Sequence, residues 1–229
     1  MLELFCGMKC AGEVFKTKYD VISLDYDPEF NATHTEDILK WDYTIYKPNT
    51  FKVIWASPDC TTWSIATGGR YRTKANILSS LPKGKNAELM IDRLIEIIDY
   101  FKPTYWFIEN PRGQLQYYPP MIELERSNYK MLVYYGNHGV GFPKATHIWS
   151  NVKLWENEKT PIMSEDTYVL RWHKFNKSMR RYYKAYLLES AKTRSLVPSI
   201  LLTKIYDKVE LYENKSTSTI FNQFSIRQN

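Results

Sequence analysis

Cysteine is scarce in this chain: Cys6, Cys10 and Cys60 are the only three in 229 residues. That is too few for a disulfide framework and short of a four-ligand zinc site. The expected setting is therefore a reducing intracellular compartment, cytoplasm or nucleus, where a lone thiol can stay reactive. Long apolar runs are also missing, and none approaches the ~20 residues that span a bilayer. The opening MLELFCGMK lacks the basic-then-apolar layout of a signal or transit peptide, so no membrane partner is expected. There is no internal repeat and no low-complexity linker. Acidic residues are outnumbered, 25 against 31 basic, for a formal charge of +6. Such a balance suits a polyanionic partner without deciding for one.

What is present describes a globular protein: 44% hydrophobic and 24% charged residues, in a length that fits one domain of ordinary size with a small appendage. A monomer is expected. The first half alternates short apolar runs with helical segments. Strands are predicted at 2–5, 19–25, 51–57 and 103–110, and an amphipathic helix over 87–101, where Leu89, Leu94, Ile95, Ile98 and Phe101 recur at helical spacing. Strands alternating with helices imply right-handed crossovers and a largely parallel sheet. Beyond Asn128 the pattern becomes strand, loop, strand. A segment at 171–184 follows with six basic residues, no acidic ones and interleaved aromatics, then an apolar helix over 194–209. The Ser-, Thr- and Asn-rich end reads as a flexible tail over 213–229.

In such a sheet ligands bind outside the carboxyl ends of the strands, and each predicted strand ends in a candidate. Cys6 and Gly7 follow the first, Asp25 closes the second, Pro58-Asp59-Cys60 follow the third, and Glu109-Asn110 close the fourth. Cys60 stands in a polar strand-end turn, the partly open setting a nucleophilic thiolate needs. Glu109, beside Trp106 and Phe107, would be partly desolvated and able to hold a proton near neutrality. A cysteine with a carboxyl suits addition to an electron-poor heterocycle. Gly7 and Gly12 form no G-x-G-x-x-G, but an acidic residue closing the next strand, Asp25, can accept the hydroxyls of a ribose. Asp37 is either a third contact or the N-cap of a helix.

Taken in order, these pieces resemble the cytosine carbon-5 methyltransferases that use S-adenosylmethionine. LELFCGMKCAGEVF is similar to their first motif, SLDYDP to the second, EDIL to the third, SPDCTTWS to the Pro-Cys motif, IENP to the Glu-Asn-Val motif, and RSLVPSILLTKI to the last. The resemblance covers roughly 1–155 and 190–206. It implies a Rossmann-like α/β fold, a mostly parallel sheet with helices on both faces plus a small basic target-recognition region. The implied layout is a catalytic domain at 1–152, target recognition at 153–190, a returning helix at 191–210 and the tail. The chain looks like a compact, viral or phage-like member.

The resemblance also implies roles. Phe5, Gly7, Asp25, Tyr26, Asp37, Ile38, Pro58 and Ser195 would hold S-adenosylmethionine, which leaves as S-adenosylhomocysteine. Cys60 would add to carbon 6 of a flipped cytosine while Glu109 and Asn110 grip the base. The segment 61–85 would be a mobile loop hinged at Gly68, Gly69 and Gly84, with Ser64, Arg70, Arg72, Lys74, Lys83 and Lys85 meeting DNA. Arg171, Lys174, Lys177, Arg180, Arg181 and Lys184 would form the main nucleic-acid patch. Three departures stand out: Asp59 replaces a proline before the cysteine, Pro111 takes the third place of the Glu-Asn-Val motif, and FPKATHIWSN matches the eighth motif poorly. There His147 or Lys144 must replace an arginine that contacts the base.

Double-stranded DNA is the expected partner. RNA, as in the tRNA-methylating branch, stays open, as does an inactive nucleic-acid-binding module on the same scaffold. A thymidylate-synthase-like enzyme also uses a cysteine after proline, but the Gly turn and Asp25 argue against it.

Overall fold

The computed structural model describes residues 1–67, 69–161 and 195–226. Seven strands form one sheet: β1 (Leu2–Leu4), β2 (Ile22–Asp25), β3 (His34–Thr35), β4 (Val53–Ala56), β5 (Tyr105–Pro111), β6 (Tyr129–Tyr134) and β7 (Ala145–Ser150). Their order is β3-β2-β1-β4-β5-β7-β6. The first five run parallel, and β7 is antiparallel to both its neighbours. The expected α/β class with a mostly parallel sheet is the fold observed. The four strands foreseen in the first half are present but shorter; β3, two residues long, was not foreseen.

Apolar runs become strands here because both faces are covered. In β4, Val53 and Trp55 join one core, while Ile54 and Ala56 join the other. In β5, Tyr105 and Phe107 face the first, and Trp106 and Ile108 the second. One face is closed by α1 (Cys10–Phe15) and α4 (Ser199–Ile226), through Phe15, Leu201, Leu202 and Ile205. The other is closed by α2 (Pro82–Phe101), through Ile91, Leu94, Ile98 and Phe101. Leu89, expected on the buried stripe, is exposed. A short helix, α3 (Pro119–Arg126), leads into β6.

The closing helix differs from expectation. It continues to Ile226, through the stretch read as a tail. Glu213 anchors the start of that stretch: its carboxylate meets Lys18 at 2.7 Å and Lys52 at 2.8 Å, and accepts from the Tyr19 hydroxyl at 2.9 Å. Burial would raise the Glu213 pKa, but these three donors pull it below the usual carboxylate value. Lys18 also pairs with Glu210, one turn earlier. The segment 162–194, which holds Arg171, Lys174, Lys177, Arg180, Arg181 and Lys184, lies outside the described residues, as does Gly68. Among the described residues no helix is long and apolar enough to cross a membrane.

The strand order reverses between β1 and β4. A crevice opens at the carboxyl ends beside such a reversal, and there the site lies.

Candidate active site

The chain leaves β1 through an unusual turn. Phe5, Gly7 and Lys9 all have left-handed backbones, with φ of 53°, 46° and 57°. For Phe5 and Lys9 this costs conformational energy, of the kind found at ligand-binding turns. Two carboxylates hold the turn. Asp25, at the end of β2, accepts from the Gly7 N–H at 2.9 Å. Glu3, in the middle of β1, accepts from the N–H groups of Ala11 and Gly12 at 3.0 Å each, capping α1 from inside the protein. A Cβ on Gly7 would meet nothing within 4 Å, so the space over the turn is open.

A cavity of about 390 Å³ beside the turn is lined by Phe5, Asp25, Tyr26, Asp37 and Ile38, while Gly7, also named for the cofactor, is not part of its lining. Five residues named for the cofactor thus come together. Tyr26 stands 71% exposed at the rim, with Ile38 buried behind it. The Asp37 carboxylate accepts from the Leu39 N–H at 3.0 Å, so it turns the chain locally while lining the cavity. Glu36, Lys83, Asn86 and Asp59 complete the polar lining; Glu36 and Asn86 were not named from sequence, and Lys83 was expected at DNA instead. Glu36 had only its place beside Asp37 to mark it. The polar walls are therefore mainly carboxylate, which suits ribose hydroxyls and a cationic group.

A second cavity, also about 390 Å³, holds Cys60, Glu109, Ser64, Lys144, Pro58 and Ser195. Asp59 lines both cavities, so the turn before Cys60 forms the wall between them. Ser195, named for the cofactor, lies on the Cys60 side. Pro111, the departure at the third place of its motif, lines the same cavity with Phe142.

The Cys60 turn is tied from several directions. The Cys60 carbonyl accepts from the Trp63 and Ser64 N–H groups at 3.1 and 2.9 Å, and the Asp59 carboxylate accepts from the Thr61 N–H at 2.9 Å. Asn110, buried and next to Glu109, donates its amide to the Pro58 carbonyl at 2.9 Å. Burial pushes the Cys60 thiol up to about 11; the Glu109 charge adds to this, Lys144 opposes it, and Asp59 contributes a smaller rise. The Asp59 charge beside the thiol acts in the same direction as burial, which outweighs it.

Glu109 is 4% exposed and gives Oε1 to two partners. The Tyr135 hydroxyl donates to it at 2.7 Å, and the Lys144 ammonium lies 3.9 Å away. Lys144, and not His147, is therefore the residue of the eighth-motif segment brought to Cys60 and Glu109. His147 faces Asn110 across the β5–β7 ladder and packs edge-on against Trp149, on the opposite face of the sheet from Glu109. Burial, then the nearby Lys130 and Arg112 charges, push its pKa down to about 4.

The loop after Cys60 corrects two further expectations. Arg72 is 3% exposed and makes no surface for phosphates. Its guanidinium lies 3.4 Å over the Trp63 ring, donates to the Gly84 carbonyl at 2.9 Å and pairs with Glu88 at 3.3 Å. Gly84 is no hinge either: it sits in the first turns of α2, where a Cβ would fall 2.1 Å from Ser79 Oγ. It is glycine because Ser79 presses on the helix there. Trp63 is further pinned by the Gln114 N–H on its carbonyl at 2.7 Å. Arg70, Lys74, Lys83 and Lys85 remain exposed.

No family profile matches the chain. Over 164 residues it is 29% identical to a protein of frog virus 3 (isolate Goorha) named a probable DNA (cytosine-5)-methyltransferase, a match covering 67% of this chain and 71% of that one. Two solved structures are similar at low identity. The Entamoeba histolytica methyltransferase EhMeth has a TM-score of 0.48 at 11% identity, over 70% of this chain and 57% of that one. The S. pombe Dnmt2 methyltransferase has a TM-score of 0.42 at 13% identity, over 72% and 51%. The chain spans about half the length of these two structures. The viral relative bears out the resemblance to the cytosine carbon-5 methyltransferases, and with it the reading of the chain as a methyltransferase.

Proposed function

We propose that the chain is a DNA (cytosine-5)-methyltransferase that takes its methyl group from S-adenosylmethionine and acts on a flipped-out cytosine through Cys60. The observation that carries this is the shared wall: a nucleophile-and-carboxyl cavity and a carboxylate-lined cavity meet at Asp59, one residue from Cys60. The similarity to a viral protein named for this reaction supports the choice of base and nucleic acid.

Residues at the β1, β2 and β3 ends fit the cofactor. Phe5, Ile38 and Tyr26 supply apolar and aromatic surface for adenine, and Asp25, Glu36 and Asp37 supply acceptors for its hydroxyls and amino groups. S-adenosylmethionine, when bound, supplies a methyl group on a positively charged sulfur and leaves as S-adenosylhomocysteine. Within the other cavity Cys60 Sγ gives up its proton to water and bonds to carbon 6, while Glu109 passes a proton to ring nitrogen 3 and takes it back when the sulfur leaves. The ring electrons move to carbon 5, which takes the methyl group. Loss of the carbon-5 proton and of the Cys60 sulfur then restores the aromatic ring. Lys144 balances the Glu109 charge and makes the thiol easier to ionise than burial alone would allow. Exposed Arg70 and Lys74 on the neighbouring loop are available to phosphates. A monomer on duplex DNA needs no other partner for this chemistry.

The test is transfer of tritiated methyl from S-adenosylmethionine to duplex DNA, single-stranded DNA, tRNA and dCMP in parallel, wild type beside Cys60→Ser. Label in duplex DNA that disappears in the variant is the expected result. Label in tRNA or dCMP instead overturns the substrate and keeps the chemistry. No label anywhere, with the cofactor still bound, identifies a nucleic-acid-binding module.

A further inference from the structure

We propose that Tyr135 is a positioning residue for Glu109, committing one carboxylate oxygen to the protein so that the other is presented to the base. This rests on the base chemistry of the preceding section, and names a residue that neither the motifs nor the cavity lining pointed to. Tyr135 directly follows the last residue of β6, opening a short 3-10 turn, and is fully buried. A phenol this deep needs a partner for its hydroxyl, or a phenylalanine would pack as well. Its partner is Glu109 Oε1, at 2.7 Å.

The same oxygen faces the Lys144 ammonium, 3.9 Å away, and that ammonium lies 4.5 Å from the centre of the Tyr135 ring. The two residues are also joined through the backbone, where the Tyr135 N–H donates to the Lys144 carbonyl at 3.0 Å. Tyr135 and Lys144 therefore form one unit closing on Oε1 from the β6–β7 side. Among the described residues no hydrogen bond to Oε2 is found, and Glu109 lines the Cys60 cavity. A carboxylate held by one oxygen cannot spin about its terminal torsion, so Oε2 has a fixed direction before the base arrives. Pre-set orientation of this kind is worth large rate factors, and a misplacement near 1 Å costs about 100-fold.

Tyr135→Phe keeps the ring and removes only the hydroxyl. The expected result is a fall of about tenfold or more in single-turnover methyl transfer to duplex DNA, with the melting temperature, the Kd for S-adenosylmethionine and the KM for DNA unchanged. Because Tyr135 acts through Glu109, the substitution should cause no additional loss when placed on Glu109→Gln. A wild-type rate for Tyr135→Phe overturns the proposal. So does a full further loss in the Glu109→Gln background, or a rate loss that merely tracks a lower melting temperature and weaker cofactor binding. Absence of methyl transfer in wild type itself marks failure of the underlying function, a result distinct from these and one that removes this role as well.

Discussion

The amide of Asn110 donates to the carbonyl of Pro58 across 2.9 Å, tying the end of β5 to the turn that presents Cys60. Glu109 is the next residue back, so this one bond fixes the separation of nucleophile and carboxyl. Asn110→Ala removes the donor and leaves a buried carbonyl unpaired, at a cost of about 1–3 kcal/mol. The expected outcome is a lower melting temperature and methyl transfer reduced at least about tenfold, with cofactor binding retained. Asn110→Asp should be worse, because a carboxylate cannot donate and would be buried against an acceptor. Equal activity in Asn110→Ala and wild type would show that the tie does not set the site.

The Cys60 thiol, pushed up to about 11 by burial and then by Glu109, should react slowly at neutral pH in the absence of nucleic acid. Only about 0.1% is thiolate at pH 8 on that value. Alkylation by iodoacetamide, followed by mass spectrometry on the peptide bearing Cys60, should therefore accelerate close to tenfold per pH unit between about pH 7 and 9. The neighbours give opposite signs. Glu109→Gln removes a negative charge and should speed alkylation, and Lys144→Met removes a positive one and should slow it. A rate flat in pH, or the two variants moving together, would contradict the electrostatics described.

Much of this architecture could be read from local patterns because local patterns caused it. VIWA becomes a strand covered on both faces since each successive residue has a core to enter. The turn after it faces the crevice because parallel strands share a carboxyl edge. What could not be read depended on partners distant in sequence. Arg72 looks like one more surface cation in TGGRYRTK until Trp63 and Glu88 close over it. Tyr135 is one aromatic among 18 tyrosines until Glu109 is seen to accept its hydrogen bond. The end of α4 is polar enough to pass for a tail, and only Lys18, Lys52 and Tyr19 show what Glu213 is anchored to. β3 is two residues long, too short to carry a period.

Arg72 and Arg70 should separate cleanly. Arg72→Ala leaves Glu88 with only the Ser79 N–H and the Trp63 face uncovered, a loss on the scale of breaking a buried ion pair, about 3 kcal/mol. Its melting temperature should drop and the loop after Cys60 should become sensitive to protease. Arg70→Ala and Lys74→Ala, both at exposed positions, should melt normally while weakening duplex binding. Each should lower the salt dependence of that binding by about one unit of slope. Were Arg72→Ala to melt like wild type and lose salt dependence instead, Arg72 would be a phosphate contact after all.

Glu3 should make stability depend on pH near neutrality. It is 2% exposed, and burial drives its carboxyl up from 4.5 to about 7, even though the Gly12 and Ala11 N–H groups pull it back. The fold therefore prefers the protonated form. The stabilising share is complete below about pH 4.5 and is lost as pH rises through about 7, an interval corresponding to roughly 3 kcal/mol. Other groups titrate over the same range, so the informative quantity is the difference between wild type and Glu3→Gln, which cannot ionise. Glutamine offers one acceptor where the carboxyl offered two, so the variant should be the less stable at pH 5. Between pH 5 and 8 the difference in unfolding free energy, measured by urea denaturation, should move in favour of glutamine by about 1–3 kcal/mol. A constant difference across that range would mean that the two N–H groups of α1 fully compensate the burial of the charge.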